Sequence, residues 1–161
     1  MSIKVGDQLP DATFVVMTPD GPKPRTTAEI FKGRKVVLFA VPGAFTPTCT
    51  MNHLPGFRDH EADFKAKGID EIVVVSVNDA FVMDAWAKQS GAAGKITFLA
   101  DGVADFAKAI GLTLDLTERG LGVRSQRYAM LVDDGVVKKL NVEEAPGKAE
   151  ISGAEALLSQ I

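Results

Sequence analysis

A chain of 161 residues, 46% of them apolar, has room for one compact domain with a proper hydrophobic core. Its 18 basic and 21 acidic residues leave a net charge of -3 and no long basic run, which argues against nucleic acid or an anionic membrane as a target. A single cysteine, Cys49, excludes an intramolecular disulfide, a disulfide scaffold and any Cys-x-x-Cys redox or zinc motif.

The N-terminal "MSIKVGDQLPDATF" has no apolar core of signal-peptide length, and nowhere do about 18 apolar residues run together. A cytoplasmic protein with one domain over residues 1–161 is therefore expected. The first strong element is "KVVLFAV" (35–41), a continuous β-branched run suited to a strand buried on both faces. After it, Pro42 and Gly43 break the strand, Thr46 is a good N-cap, and Pro47 suits the first helical position. That order puts Cys49 in the first turn of a helix, where unpaired N–H groups favour a thiolate over a thiol. Thr46 falls on the same side of the turn, within reach of the backbone or the sulfur, and His53 approaches that face four residues on. Pro55 is expected to kink or end this helix.

Further along, "EIVVVSV" (71–77) and "ITFLAD" (96–101) read as buried strands. Between them, "AFVMDAWAKQSG" follows the capping pair Asn78-Asp79, closes on Gly91 and reads as a crossover helix with Phe81, Ala85 and Trp86 on one face. "RYAMLVD" (127–133) is a fourth strand, and Asp134-Gly135 marks a tight antiparallel hairpin to the next apolar run. The tail "GAEALLSQI" reads as a short closing helix. Strands alternating with helices predict an α/β protein whose sheet is covered on both sides.

Residue types alone leave Cys49 open between two uses, since a free cysteine is among the most buried side chains. By the same standard Thr46 is an ordinary cap, His53 and His60 are surface or packing residues, and Arg124 and Arg127 are cations lying over the sheet edge.

The spacing Pro42-x-x-x-Thr46-x-x-Cys49 resembles the active-site pattern of the peroxiredoxins, thiol peroxidases on a thioredoxin-like fold. The longer "VPGAFTPTCTMNHLPGF", "SVNDAFV" (76–82) and "RSQRYAMLVDDGVVKKLNVE" (124–143) are similar to the type-II, or peroxiredoxin-5, group. The likeness implies a central mixed β-sheet flanked by helices on both faces. It casts Cys49 as the peroxidatic nucleophile, Thr46 as the hydroxyl that orients peroxide, Pro42 as the thiolate's shield and Arg127 as the site's cation, with Arg124 a second, less general basic position. It further implies a hydroperoxide substrate, chemistry without metal or flavin, and a homodimer with the loop around Phe45 near the contact. Some members of this group carry a second, resolving cysteine that is missing here. The reductant must then be an external thiol, glutathione with glutaredoxin or thioredoxin.

Overall fold

A computed structural model describes residues 2–161. The chain opens with an antiparallel hairpin, β1 (Thr13–Thr18) and β2 (Gly21–Thr26), which leads into helix α1 (Thr27–Phe31). Strand β3 (Lys35–Ala40) is followed by a helical stretch ending in α2 (Leu54–Asp59) and by α3 (Glu61–Ala66). Then come β4 (Glu71–Ser76), α4 (Ala80–Gln89), β5 (Thr97–Ala100) and α5 (Asp105–Ile110). A small separate hairpin of β6 (Thr113–Leu116) and β7 (Gly122–Ser125) precedes β8 (Tyr128–Asp133), β9 (Val136–Val142) and α6 (Ala154–Leu158).

Seven strands form one mixed sheet in the order β2-β1-β5-β4-β3-β8-β9, with β3, β4 and β5 mutually parallel and the outer pairs antiparallel. The side-chain alternation of β3 shows why its sequence is apolar throughout. Val37, Phe39 and Val41 enter one core with Phe57 and Trp86, while Val36, Leu38 and Ala40 enter the other with Phe14 and Phe106. Each fully buried side chain of this size contributes about 1.5–3 kcal/mol through lost apolar surface. Phe39 and Phe57 stack at 4.2 Å between ring centroids, which fixes α2 against the strand that leads to Cys49.

The four predicted strands, the hairpin at Asp134-Gly135 and the closing helix all form. Asp134 and Gly135 take positive φ values of 50° and 79°, as a two-residue hairpin turn requires. The predicted crossover helix forms too, its Asp79 carboxylate accepting the Val82 N–H at 2.8 Å, but its buried stripe is Ala80, Met83, Trp86 and Ala87. Phe81 is 68% exposed, against expectation. The reason is Trp86: its indole N–H donates to the Thr50 hydroxyl at 3.2 Å and its ring meets Phe98 edge-on, which sets the helix's rotation. None of the described helices is long and apolar enough to cross a membrane.

Candidate active site

At the C-terminal end of β3 the chain leaves the sheet, held by the Val41 N–H donating to the Val75 carbonyl at 3.2 Å and the Ala44 N–H donating to Asn78 Oδ1 at 3.0 Å. The turn is tight. A Cβ at Gly43 would sit 3.2 Å from both the Arg124 guanidinium and the Thr46 methyl, and Phe45 takes a left-handed φ of 65° that ordinary side chains disfavour. Helix begins at Pro47, so Thr46 is its N-cap residue and Cys49 lies in its first turn. The Thr46 hydroxyl makes a different bond from the expected cap: it lies 2.7 Å from the Gly43 carbonyl and 2.8 Å from Cys49 Sγ.

Cys49–His53 then winds as a π-helix, with the Leu54 N–H donating to the Cys49 carbonyl, and passes directly into α2. Pro55 therefore neither ends nor breaks the helix. It lacks an N–H for the Met51 carbonyl, and one wide turn absorbs that loss by enclosing an extra residue. The same turn keeps His53 on the face of Cys49. His53 is buried, with its ring beside the stacked pair of Phe39 and Phe57 at centroid distances of 5.0 and 5.5 Å, so of the two expected uses it is a packing residue and not a surface one.

Arg127 arrives from the other side by strand register. Tyr128 pairs with Ala40, so the residue before it meets the chain just beyond the end of β3. Arg127 is likewise buried, not laid over the sheet edge. Its Nη2 donates to Cys49 Sγ at 3.0 Å, its Nη1 to His53 Nδ1 at 3.0 Å and its Nε to the Pro146 carbonyl at 3.0 Å. The guanidinium can only donate, and the Ser152 carbonyl, 2.8 Å from His53 Nε2, can only accept. His53 is therefore the neutral tautomer with its proton on Nε2. Burial, reinforced by the Arg127 charge, pushes its imidazolium down to about 3 against the pull of the Ser152 carbonyl.

One turn after β9 organises this second layer. The Glu143 carboxylate accepts the Ser152 N–H at 3.0 Å and hydroxyl at 2.6 Å, while the Glu143 N–H donates to the Arg127 carbonyl at 2.9 Å. The cluster is thus Cys49, Thr46, Arg127 and His53, with Pro42 beside them in the wall of a pocket that opens over Thr46 and Arg127. Arg124 does not reach the sulfur. It lies in β7 and donates to the Leu121 carbonyl at 2.8 Å and the Val77 carbonyl at 3.1 Å, pinning the small hairpin to the main sheet. His60 lies away from the cluster, paired with Asp63 at 2.9 Å.

Chemically, the arrangement provides a nucleophile with two donors trained on it. Thr46 has one hydroxyl proton. While that proton is given to the Gly43 carbonyl, the oxygen is free to accept from a Cys49 S–H; once the sulfur is ionised, the hydroxyl can turn and donate to it. Arg127 keeps two of its five N–H groups after its three protein bonds. These are available to a substrate oxygen beside the sulfur.

The Redoxin family model matches residues 4–158. A chloroplastic peroxiredoxin-2E-2 of Oryza sativa subsp. japonica is 52% identical over 165 residues, spanning 99% of this chain and 73% of the relative. Among solved structures, reduced Prx3 of Vibrio vulnificus in complex with hydrogen peroxide is 52% identical, with a TM-score of 0.93 over 98% of each chain, and the fold is accordingly thioredoxin-like. The relatives overturn the expected cytoplasmic location. Beside the chloroplastic rice protein stands mitochondrial peroxiredoxin-2F of Arabidopsis thaliana, 48% identical over 134 residues that cover 83% of this chain and 67% of the relative, and these names point to an organelle instead. A compartment is addressed by a targeting segment that is read and removed, so the composition of a folded domain carries no trace of it.

Proposed function

The chain belongs to the peroxiredoxins, the thiol peroxidases of the Redoxin family, and on that premise we propose that it reduces hydrogen peroxide and alkyl hydroperoxides through Cys49, with glutathione and glutaredoxin as the recycling thiol system. The reading treats residues 1–161 as one thioredoxin-like domain. The observation that carries it is the pair of donors, Arg127 Nη2 at 3.0 Å and the Thr46 hydroxyl at 2.8 Å, converging on a fully buried sulfur.

In the first step the thiolate attacks the terminal oxygen of the hydroperoxide. An S–O bond forms and the O–O bond breaks; the sulfur is oxidised by two electrons to a sulfenic acid, and the departing alkoxide or hydroxide takes a proton from water. For any free thiol of pKa about 8.5, complete ionisation at pH 7 gains only ~30-fold, or about 2 kcal/mol. Enzymes commonly exceed ~10⁶-fold, so most of the acceleration must come from stabilising charge on the departing oxygen. Arg127 fills that role because its charge is permanent and two of its N–H groups remain uncommitted. Thr46 orients the peroxide, and Pro42 keeps water from the thiolate.

Because Cys49 is the only cysteine, the sulfenic acid condenses with an external thiol, releasing water, and a second thiol then frees Cys49 from the mixed disulfide. A homodimer through the Phe45 loop completes the reading, supported by the exposure of Phe45 and of Phe81.

The test follows peroxide loss and the protein's intact mass, first with peroxide alone and then with glutathione plus glutaredoxin or with thioredoxin plus its reductase. Catalytic loss of peroxide, fastest with the first pair and abolished by Cys49→Ser, is expected. Normal turnover by Cys49→Ser would refute the assignment, and equal or faster turnover with thioredoxin would overturn the choice of reductant.

A further inference from the structure

The pocket above Cys49 is larger than hydrogen peroxide needs. It encloses about 260 Å³, and its outer part is formed by Leu116, Leu121 and Pro146. A water molecule claims about 30 Å³ of liquid volume, so a molecule with two heavy atoms fills on the order of a quarter of this space. Apolar walls beyond that point contribute nothing to binding so small and polar a substrate.

Leu116 and Leu121 flank the connecting loop of the β6–β7 hairpin, where the Leu121 N–H donates to the Leu116 carbonyl at 3.1 Å. The hairpin is not a loose flap, because Arg124 braces its loop at the Leu121 carbonyl and fastens it to the Val77 carbonyl just past the end of β4. At its tip, the 3₁₀ turn Thr117–Arg119 places a second arginine in the same pocket as Arg127. Arg119 is exposed and makes no hydrogen bond or ion pair with any described residue. The nearby Asp115 carboxylate is turned into its own loop, where it accepts the Thr117 N–H at 2.9 Å and the Thr117 hydroxyl.

Resting on the peroxidase reading above, we propose that the β6–β7 hairpin selects organic hydroperoxides that carry a carboxylate, with Leu116 and Leu121 holding the apolar chain and Arg119 holding the anion at the pocket mouth. The substrate then spans the pocket. Its peroxide group lies between Arg127 and Thr46 at the inner end, its hydrocarbon covers the leucines, and its charged end stays half in water. The chemical step and its electron balance are those given for any hydroperoxide, and Arg119 acts on binding alone.

Oxidation of Cys49 is followed by rapid mixing without reductant, so that recognition of an anionic thiol such as glutathione does not enter. The probes are a medium-chain hydroperoxy acid, its methyl ester and hydrogen peroxide. The wild-type chain is expected to react with the acid about two- to fivefold faster than with the ester, the range that one exposed charge pair supports. The preference should persist in Arg119→Lys, reverse in Arg119→Glu, and shrink as salt rises. Equal wild-type rates for acid and ester, or an acid preference that survives Arg119→Glu, would overturn the proposal. Failure of the wild-type chain to react with hydrogen peroxide itself would instead sink the peroxidase reading on which it rests.

Discussion

Two polar clusters occupy opposite ends of the parallel strands β3 and β4, built from similar parts and finished differently. At the N-terminal end, the Glu71 carboxylate receives Arg25 through both of its Nη atoms at 2.9 Å, Arg34 Nη1 at 2.8 Å, and the Thr97 hydroxyl. Burial alone would raise this carboxyl, but the bonds from Arg25, Thr97 and Arg34 prevail and hold it down at about 2. All of its acceptor sites are taken. At the C-terminal end, Arg127 spends three N–H groups on Cys49, His53 and Pro146 and keeps two. A charged cluster that ties strands together closes its hydrogen bonds, whereas one that performs a reaction leaves donors for a group that arrives later.

The contrast is broken most directly by exchanging the consequences of loss. Arg127→Ala is expected to lower the second-order rate of Cys49 oxidation by about 10²–10³-fold, the usual effect of removing one transition-state donor, read by rapid mixing. Glu71→Ala should leave that rate alone and lower unfolding stability by about 3 kcal/mol, read by urea denaturation, because it strands two arginines. If Glu71→Ala slows oxidation as much as Arg127→Ala, the division between the two ends fails. Thr46→Val should cost about 10- to 100-fold in the same oxidation rate, in keeping with one hydrogen bond to a charged group, while sulfur oxidation by excess peroxide still goes to completion.

Acid separates the two clusters by pH window. His53 is depressed from 6.5 to about 3, so its contribution to stability is complete above pH 6.5 and is lost as the pH falls toward 3, by up to about 1.4 kcal/mol per pH unit. Glu71 is depressed from 4.5 to about 2, so its own loss belongs to the lower window between those values. Denaturation midpoints measured from pH 7 to 5 should fall in the wild-type chain and flatten in His53→Gln, which retains a donor and an acceptor but does not titrate. The smallest effect is expected at Tyr128. Its buried hydroxyl has no hydrogen-bond partner among the described residues, so Tyr128→Phe should add about 1 kcal/mol of stability with unchanged peroxide reactivity.

Much of this design is legible in the sequence, but unevenly. The central strands announce themselves because burial on both faces demands unbroken β-branched runs such as "EIVVVS". The edge strand β2 does not, since "GPKPRT" carries two prolines that only an edge position tolerates. Cys49 is placed correctly by Pro42, Thr46 and Pro47, which act within a few residues of one another. Arg127 is different, because its position depends on which strand pairs with β3 and in what register; only the family likeness pointed to it. The spacing put His53 on the face of Cys49, but its bond to Arg127 was not legible, because that partner arrives from another strand. Pro55 argues for a break under ordinary helical rules, and nothing in the local composition distinguishes a break from a wide turn. Phe81 was misplaced because hydrophobicity does not reveal which face of a helix a tryptophan will anchor.

The Ala40–Tyr128 register makes the reactive centre a matter of parity. Ala129 and Leu131 point into the core that holds Cys49, Tyr128 and Met130 into the other, and Arg127 follows the odd-numbered side. Deleting one residue between β7 and β8 would exchange the two sides, carrying a phenol ring to the sulfur and the guanidinium away from it, to the half-buried place of Gln126. Length changes in that connection are therefore all-or-nothing. The tip of the β6–β7 hairpin stands outside the seven-stranded sheet, so residues can be added or removed there without resetting the count, and the outer rim of the pocket is free to diverge while the distance from arginine to sulfur stays fixed.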